Sequence, residues 1–281
     1  ERYTKLSFSD LNDEPFSKRL PAGWVAILQH YFVSAWIPSQ QTGHDYFASQ
    51  LSNGDNVIGY KNQNIDIAPG SAVTITQTLY VGPKDQVALA ALAENLDLVI
   101  DYGWLWWLAQ PLFWLLTLIQ QFVINWGLAI IALTIVIKLL FFRLSAASYK
   151  SMAKMRTVQP KIQSIRDQYA DDKAKLQQAT MELWKKENIN PMGGCLPMLI
   201  QMPVFLALYW VLLESVELRH APFILWIEDL SARDPYIVLP ILMGISMWLM
   251  QRLNPAPPDP MMAKVMMYMP IAFTFLMMWF P

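Results

Sequence analysis

Hydrophobic and polar positions follow two different rules along this chain. From Trp24 the run WVAILQHYFVSAWIP is aromatic and β-branched, and further on VTITQTLYVGP alternates polar and apolar residues with period two. NGDN, YKNQN and APGS lie between them and are turn chemistry. Such runs bounded by turns predict antiparallel strands, so residues 1–83 are expected to form a β-sandwich domain, in part. The segment DQVALAALAENLDLVI that follows has helical composition.

After Asp101 the alternation gives way to continuous apolar sequence. Gly103 to Phe142 carries no charge before Lys138. As one helix these forty or so residues would run to roughly 60 Å, twice the hydrocarbon thickness of a bilayer. Pro111 and the pair Gln120, Gln121 offer places to break it. The first piece, YGWLWWLAQPLFWLL, carries Tyr102, Trp104, Trp106, Trp107 and Trp114, residues that favour the headgroup level, and reads as a helix lying along the interface. The second piece, Phe122 to Phe142, is expected to span. Three further spans are expected at Gly194 to Leu213, Tyr236 to Met250 and Met262 to Phe280, with NPAPPDP (Asn254 to Pro260) as a stiff connection between the last two. The middle one is short and needs its flanks or a thin bilayer to cross. There is no internal repeat, which counts against the duplicated architecture of many transporters.

The domain map expected from these patterns is therefore an extracytoplasmic β domain at 1–83, a linker helix and interfacial helix at 84–119 and a transmembrane helix at 120–143. A cytoplasmic helical hairpin at 144–191 and the remaining transmembrane helices at 192–281 complete it. In fold class this is an α+β membrane protein with a polytopic helical bundle. In the hairpin, Val158, Ile162, Ile165 and Tyr169 recur at helical spacing, as do Leu176, Ala179 and Leu183 with Trp184 near the same stripe. Asp171 or Asp172 would cap the second helix, and Pro160 could kink the first. The hairpin reads equally well as a solvated spacer and as a docking surface.

Composition agrees with a membrane module. Of 281 residues 54% are hydrophobic and 15% charged, the net charge is −1 and mean hydropathy is +0.27, too apolar for an ordinary soluble domain. Near-neutral charge gives no reason to expect nucleic acid as a partner. The single cysteine, Cys195, excludes an internal disulfide framework. The beginning ERYTKLSF and the apolar ending LMMWFP lead to the expectation that both ends are cut. Between Arg143 and Pro191 there are ten Lys or Arg against five acids, whereas Glu214 to Pro235 holds two Arg beside five acids. The positive-inside rule places the first of these in the cytoplasm, and the β domain then lies outside.

Lys138 is the position that asks for an explanation. A helix turns about 100° per residue, so Gly127 and Ile131 project close to its direction and Thr134 about 40° away. Gln120 falls on nearly the same line, and Ser145 extends it if the helix persists. The seam Gln120, Gly127, Thr134, Lys138, Ser145 is interrupted by Ile131, on a helix otherwise made of Ile, Leu, Val and Phe. Two readings stand. Lys138 is a few residues from the cytoplasmic end and its stem could snorkel; or it faces a water-filled pocket, which the seam's length beyond the lysine's reach favours. No acid falls within the expected spans, since Glu214 sits at the outer end of its helix. An inward cation without a resident counter-charge would attract carboxylates, anions or polar backbone.

All sixteen methionines lie after Ser151. Flexible, polarizable side chains suit the gripping of varied apolar partners, which singles out Met202, Met266 and Met267, although gap-filling in a bundle explains any one of them. No catalytic pattern is present: His30, His44 and His220 lack metal spacing, Gly193-Gly194 is no phosphate loop, and no HExxH, GxSxG or Walker sequence occurs. Neither a catalytic residue nor a cofactor is expected.

The runs SYKSMAKMRTVQPKIQSIRDQYADDK, NPMGGCLPMLIQMPVFLALYWVL, SVELRHAPFILWIEDLSARDPY, VLPILMGISM and FTFLMMWFP closely resemble the bacterial YidC family of membrane protein insertases. The resemblance extends to LQHYFVSAWIP and LDLVIDYGWLWWLAQPLF and covers nearly the whole chain. It implies an extracytoplasmic β-supersandwich, an interfacial helix, a five-helix core and a cytoplasmic hairpin in the bacterial inner membrane. The core would enclose a hydrophilic groove open to the cytoplasm and lipid and closed outside. In that groove a positive residue, here Lys138 where arginine is common, receives the polar part of a nascent membrane protein, and Thr134 falls on a functionally important position. The family's last core helix, first anchor and much of the β domain are absent from this sequence. Partners implied are nascent membrane proteins, the ribosome or a targeting factor, the Sec translocon and membrane lipids. Two rival readings are an anion or solute transporter with Lys138 as binding site, and a scaffold whose β domain recruits an outside partner.

Overall fold

The structure is a computed structural model describing residues 3–40, 42–62, 64–169, 172–187, 196–253 and 260–280. The chain forms two compact units: Glu1–Gly103 together with Glu214–Glu217, and Trp104–Leu213 together with Leu218–Pro281.

The first unit holds a short helix α1 (Asp10–Asp13), six strands and a helix α2 (Gln86–Leu92). The strands are β1 (Phe16–Leu20), β2 (Val25–Leu28), β3 (Phe32–Ile37), β4 (His44–Gln50), β5 (Asn56–Lys61) and β6 (Thr78–Pro83). They make two antiparallel three-stranded sheets, ordered β1-β4-β5 and β2-β3-β6. The apolar run from Trp24 is not one strand. It folds back as the β2–β3 hairpin, closed where the Gln29 amide donates to the Phe32 carbonyl at 2.9 Å. Of VTITQTLYVGP, the part from Thr78 pairs with β3.

Period-two alternation in β3 turns Val33, Ala35 and Ile37 inward. They share one core with Leu89, Ala93, Leu96 and Val99, so the helical segment after residue 83 covers the β2-β3-β6 sheet instead of standing apart as a linker. Asp85 starts α2 by accepting the Ala88 amide at 2.8 Å. Lys5 and Asp101 close the unit with a 2.6 Å ion pair. Nearly buried Lys84 lies 3.9 Å from Glu214; burial pushes its ammonium below the ordinary lysine range, while Glu214 opposes that shift.

The second unit is helical: α3 (Trp106–Val123), α4 (Trp126–Leu140), α5 (Phe142–Gln168), α6 (Lys173–Lys186), α7 (Leu196–Glu214), α8 (Val238–Leu253) and α9 (Pro260–Met277). The long apolar stretch breaks at neither expected place. α3 runs through both Pro111 and Gln120 and ends where Ile124 takes a left-handed backbone (φ 62°). α4 begins one residue after Asn125, whose side chain accepts the Leu128 amide at 3.0 Å. It stops at Leu140, and α5 leaves at 65° to it.

Among the described residues no single helix is long and apolar enough to cross a membrane. The bent pair Trp126–Leu140 with Phe142–Gln168 meets the criterion jointly, and Leu199–Glu214, Val238–Leu253 and Met261–Met277 are shorter apolar helices. α5 and α6 meet through buried Val158 and Ile162 against Leu183 and Trp184, with Lys161 and Glu187 paired at 2.5 Å and Asp172 capping α6 through the Lys175 amide. Asp171, the Gly193-Gly194-Cys195 stretch and positions 254–259 of NPAPPDP lie outside the described residues. α8 and α9 approach so closely that a Cβ on Gly244 would collide with the Thr274 hydroxyl.

Side chains of Lys5 and Asp101 are 61% and 46% exposed, so their pairing is worth no more than about 1 kcal/mol. The Lys5 hydrogen bond, against some desolvation, holds the Asp101 carboxyl below its ordinary value of 3.8. A depressed carboxyl stabilises the folded chain above its unfolded value, and the gain is lost as the pH falls through the folded one. Asp101→Asn is therefore expected to weaken the intact chain slightly at pH 7, with parent and variant converging in acid, read as urea-dependent amide exchange in β3.

Candidate functional site

Asn125 fixes where the site can form. Its backbone is extended (φ −128°, ψ 122°) and its carbonyl oxygen caps α4. Its amide nitrogen donates to the carbonyls of Pro222 at 3.2 Å and Phe223 at 3.0 Å, in the loop after α7. Gly127, two residues on, is buried, and a Cβ there would collide with the Phe223 ring. Gly127 is thus a close-approach position under an aromatic ring.

Lys138 stands in the last turn of α4, where a cation also meets the helix's carbonyl end. Its Nζ is 3.4 Å from the Gln201 Oε1 and 5.5 Å from the centre of the Phe205 ring. Gln201 and Phe205 are four apart in α7, hence on one face. Charge-assisted bonds usually close to about 2.7–2.9 Å, so this one is loose, and the lysine side chain stays exposed. No carboxylate among the described residues pairs with it. Gln201 is only 7% exposed. An ammonium can only donate, so the amide oxygen must face it; the Gln201 Nε2 then points elsewhere, buried and without a partner among the described residues. Thr134, one turn before Lys138 and half-buried, donates its hydroxyl to the Ile130 carbonyl at 2.8 Å. Its lone pairs remain as acceptors.

The expected seam is therefore divided. Gly127, Thr134 and Lys138 share α4. Gln120, half-buried, belongs to α3 on the far side of the Ile124 reversal, and Ser145 belongs to α5 beyond the 65° bend. Met202, 49% exposed, follows Gln201 in α7; Met267, 56% exposed, and half-buried Met266 lie on α9. Gln201 and Asn125 are the additions. Gln201 carries the same signal as Lys138, a lone polar residue in the apolar run LPMLIQMPVFLALYWVLL, and Asn before an apolar helix is an N-cap signal.

The second unit also contains a cavity of about 650 Å³ whose lining includes Trp226, Arg233, Leu239, Met243, Met277 and Phe280. It contains none of the sequence-derived site residues. Among the described residues no group of three His, Cys, Asp or Glu side chains could hold a metal ion.

Comparison with known families agrees with the resemblance read from the sequence. The model described as "60Kd inner membrane protein" matches residues 118–281, and "YidC periplasmic domain" matches residues 1–115. The chain belongs to the YidC family. It is 61% identical over 281 residues to the membrane protein insertase YidC of a Marinomonas species, covering 100% of this chain and 51% of the relative. To the YidC of Shewanella amazonensis it is 55% identical over 282 residues, covering 100% and 52%. To that of Pseudomonas syringae pv. tomato it is 56% identical over 281 residues, covering 100% and 50%. The chain thus spans about half the length of these YidC relatives.

A buried amide nitrogen left without an acceptor costs roughly 1–3 kcal/mol. Gln201→Leu is accordingly expected to raise the thermal midpoint of the detergent-solubilised protein, and Gln201→Ala, which also leaves a void, to lower it.

Proposed function

We propose that this chain is the core part of a non-enzymatic membrane protein insertase, and that Lys138, Thr134 and Gln201 receive the polar portion of an incoming segment. The observation that carries the reading is the cation of Lys138, loosely held by a neutral amide oxygen and an aromatic ring, with no acid paired to it among the described residues. In this reading the bent pair α4–α5 and the helices α7, α8 and α9 cross the inner membrane. The basic stretch of α5 and α6 faces the cytoplasm and the β unit the periplasm.

A cation within the bilayer costs about 2.5–3.5 kcal/mol on insertion scales. The cost is recovered when a carboxylate or unpaired backbone carbonyl arrives. Lys138 and the orphaned Gln201 amide both donate, so the site is short of acceptors, and an acidic or extended polar segment supplies them. Thr134 offers the complementary acceptor for its amides. Lysine attracts as a point charge without the planar fork of arginine, so the contact is strong enough to recruit and weak enough to release. The apolar part of the client would pass along exposed Met202, Phe205 and Met267 and partition into lipid. Neither nucleotide nor cofactor takes part. The helices α5 and α6 would meet the ribosome or a targeting factor, with the Sec translocon as a further partner.

Photo-crosslinkers at Thr134 and Met266 are expected to capture a ribosome-tethered membrane segment. Lys138→Gln should reduce the Thr134 adduct and client insertion several-fold, and Lys138→Arg should retain both. Absence of adducts at both positions in folded protein, or full activity of Lys138→Gln, overturns the reading.

A further inference from the structure

Gly127 and Lys138 are eleven residues apart, which on an α-helix returns to within about 20° of the same direction at a rise of about 17 Å. They mark two ends of one strip of α4, with Thr134 and Ile131 between. At the lysine end the strip is exposed. At the glycine end the Phe223 ring lies against the backbone, closer than any side chain at 127 would permit.

Phe223 is held there by a loop that is folded on itself. Its amide donates to the Ile227 carbonyl at 2.9 Å and the Leu230 amide to the Ala221 carbonyl at 3.1 Å. Asp229 gathers the His220 amide, the Ser231 amide and the Ser231 hydroxyl. Asn125 then ties that loop to the start of α4 through two carbonyls. A loop hydrogen-bonded to itself, a two-point tie and a glycine platform together hold one aromatic ring on the polar strip.

We propose that Phe223 is the stopper of the strip: it closes the Asn125 end, so that water and polar segments reaching Lys138 and Thr134 enter and leave only at the lysine end. Asn125 positions it, and Gly127 provides the seat. The assignment rests on the membrane orientation proposed above, in which the Asn125 end faces the periplasm.

The test places a reporter thiol on the strip without touching Lys138 or Thr134. In the full-length protein made cysteine-free (Cys195→Ser here), Ile131→Cys is probed in sealed vesicles of either orientation with a membrane-impermeant maleimide. The parent should label from the cytoplasmic side and hardly from the periplasmic side. Phe223→Ala and Asn125→Ala should raise periplasmic labelling at least tenfold while cytoplasmic labelling stays unchanged; Phe223→Trp should keep the parental pattern. Unchanged cytoplasmic labelling also verifies folding, and Asn125→Ala carries the test if Phe223→Ala does not accumulate. Periplasmic labelling that stays at the parental rate in folded variants overturns the stopper and leaves the insertase reading standing. A reporter unreactive from both sides removes the wet strip itself, and with it both proposals.

Discussion

One carboxamide serves three backbone groups that have no helical partner of their own. The oxygen of Asn125 takes the Leu128 amide, and its nitrogen supplies the Pro222 and Phe223 carbonyls. The first four amides of a helix need outside partners, and in an apolar setting water does not supply them. By meeting that need at residue 125 the chain decides that α3 ends and α4 starts there. The start of α4 sets the phase of every later side chain, including the turn that brings Lys138 to Gln201 and Phe205. The same amide commits the loop after α7 to one place. Connection and phase follow from a single side chain that makes three hydrogen bonds, two donated and one accepted.

The surroundings of Lys138 are the opposite, with hydrogen-bonding capacity left unused. Among the described residues Lys138 has three donor hydrogens and one long bond, and the buried amino group of Gln201 has no acceptor. Such vacancies are destabilising in a static fold. The Thr134 hydroxyl, satisfied through Ile130, keeps its lone pairs available without adding another unsatisfied donor.

What could be read from the sequence depended on whether one periodicity held over the whole inference. The run from Trp24 was legible as strand from its aromatic and β-branched residues, whereas the turn inside it, and the inward faces of Val33, Ala35 and Ile37 that follow from it, came only with the structure. Helical spacing found Val158, Ile162 and Leu183, which lie on uninterrupted helices. The polar seam was drawn by the same arithmetic across two helix ends and lost Gln120 and Ser145, because a left-handed residue at 124 and a 65° bend reset the phase. Gly127 kept its place but not its role: no spacing argument foresees that Phe223, nearly a hundred residues later, needs its missing side chain. Gln201 was legible by the argument used for Lys138, and the neutral residue attracted less notice than the charged one.

The Gly244–Thr274 meeting has a mechanical meaning. Where the two helices meet backbone to hydroxyl, any side chain at position 244 would run into Thr274, so only glycine fits the contact. No residue of α8 is buried, so this narrow notch, more than any greasy core, fixes the pair's register. Sliding of α8 past α9 is thereby opposed at this point, and any rearrangement of the helices has to be found along other seams.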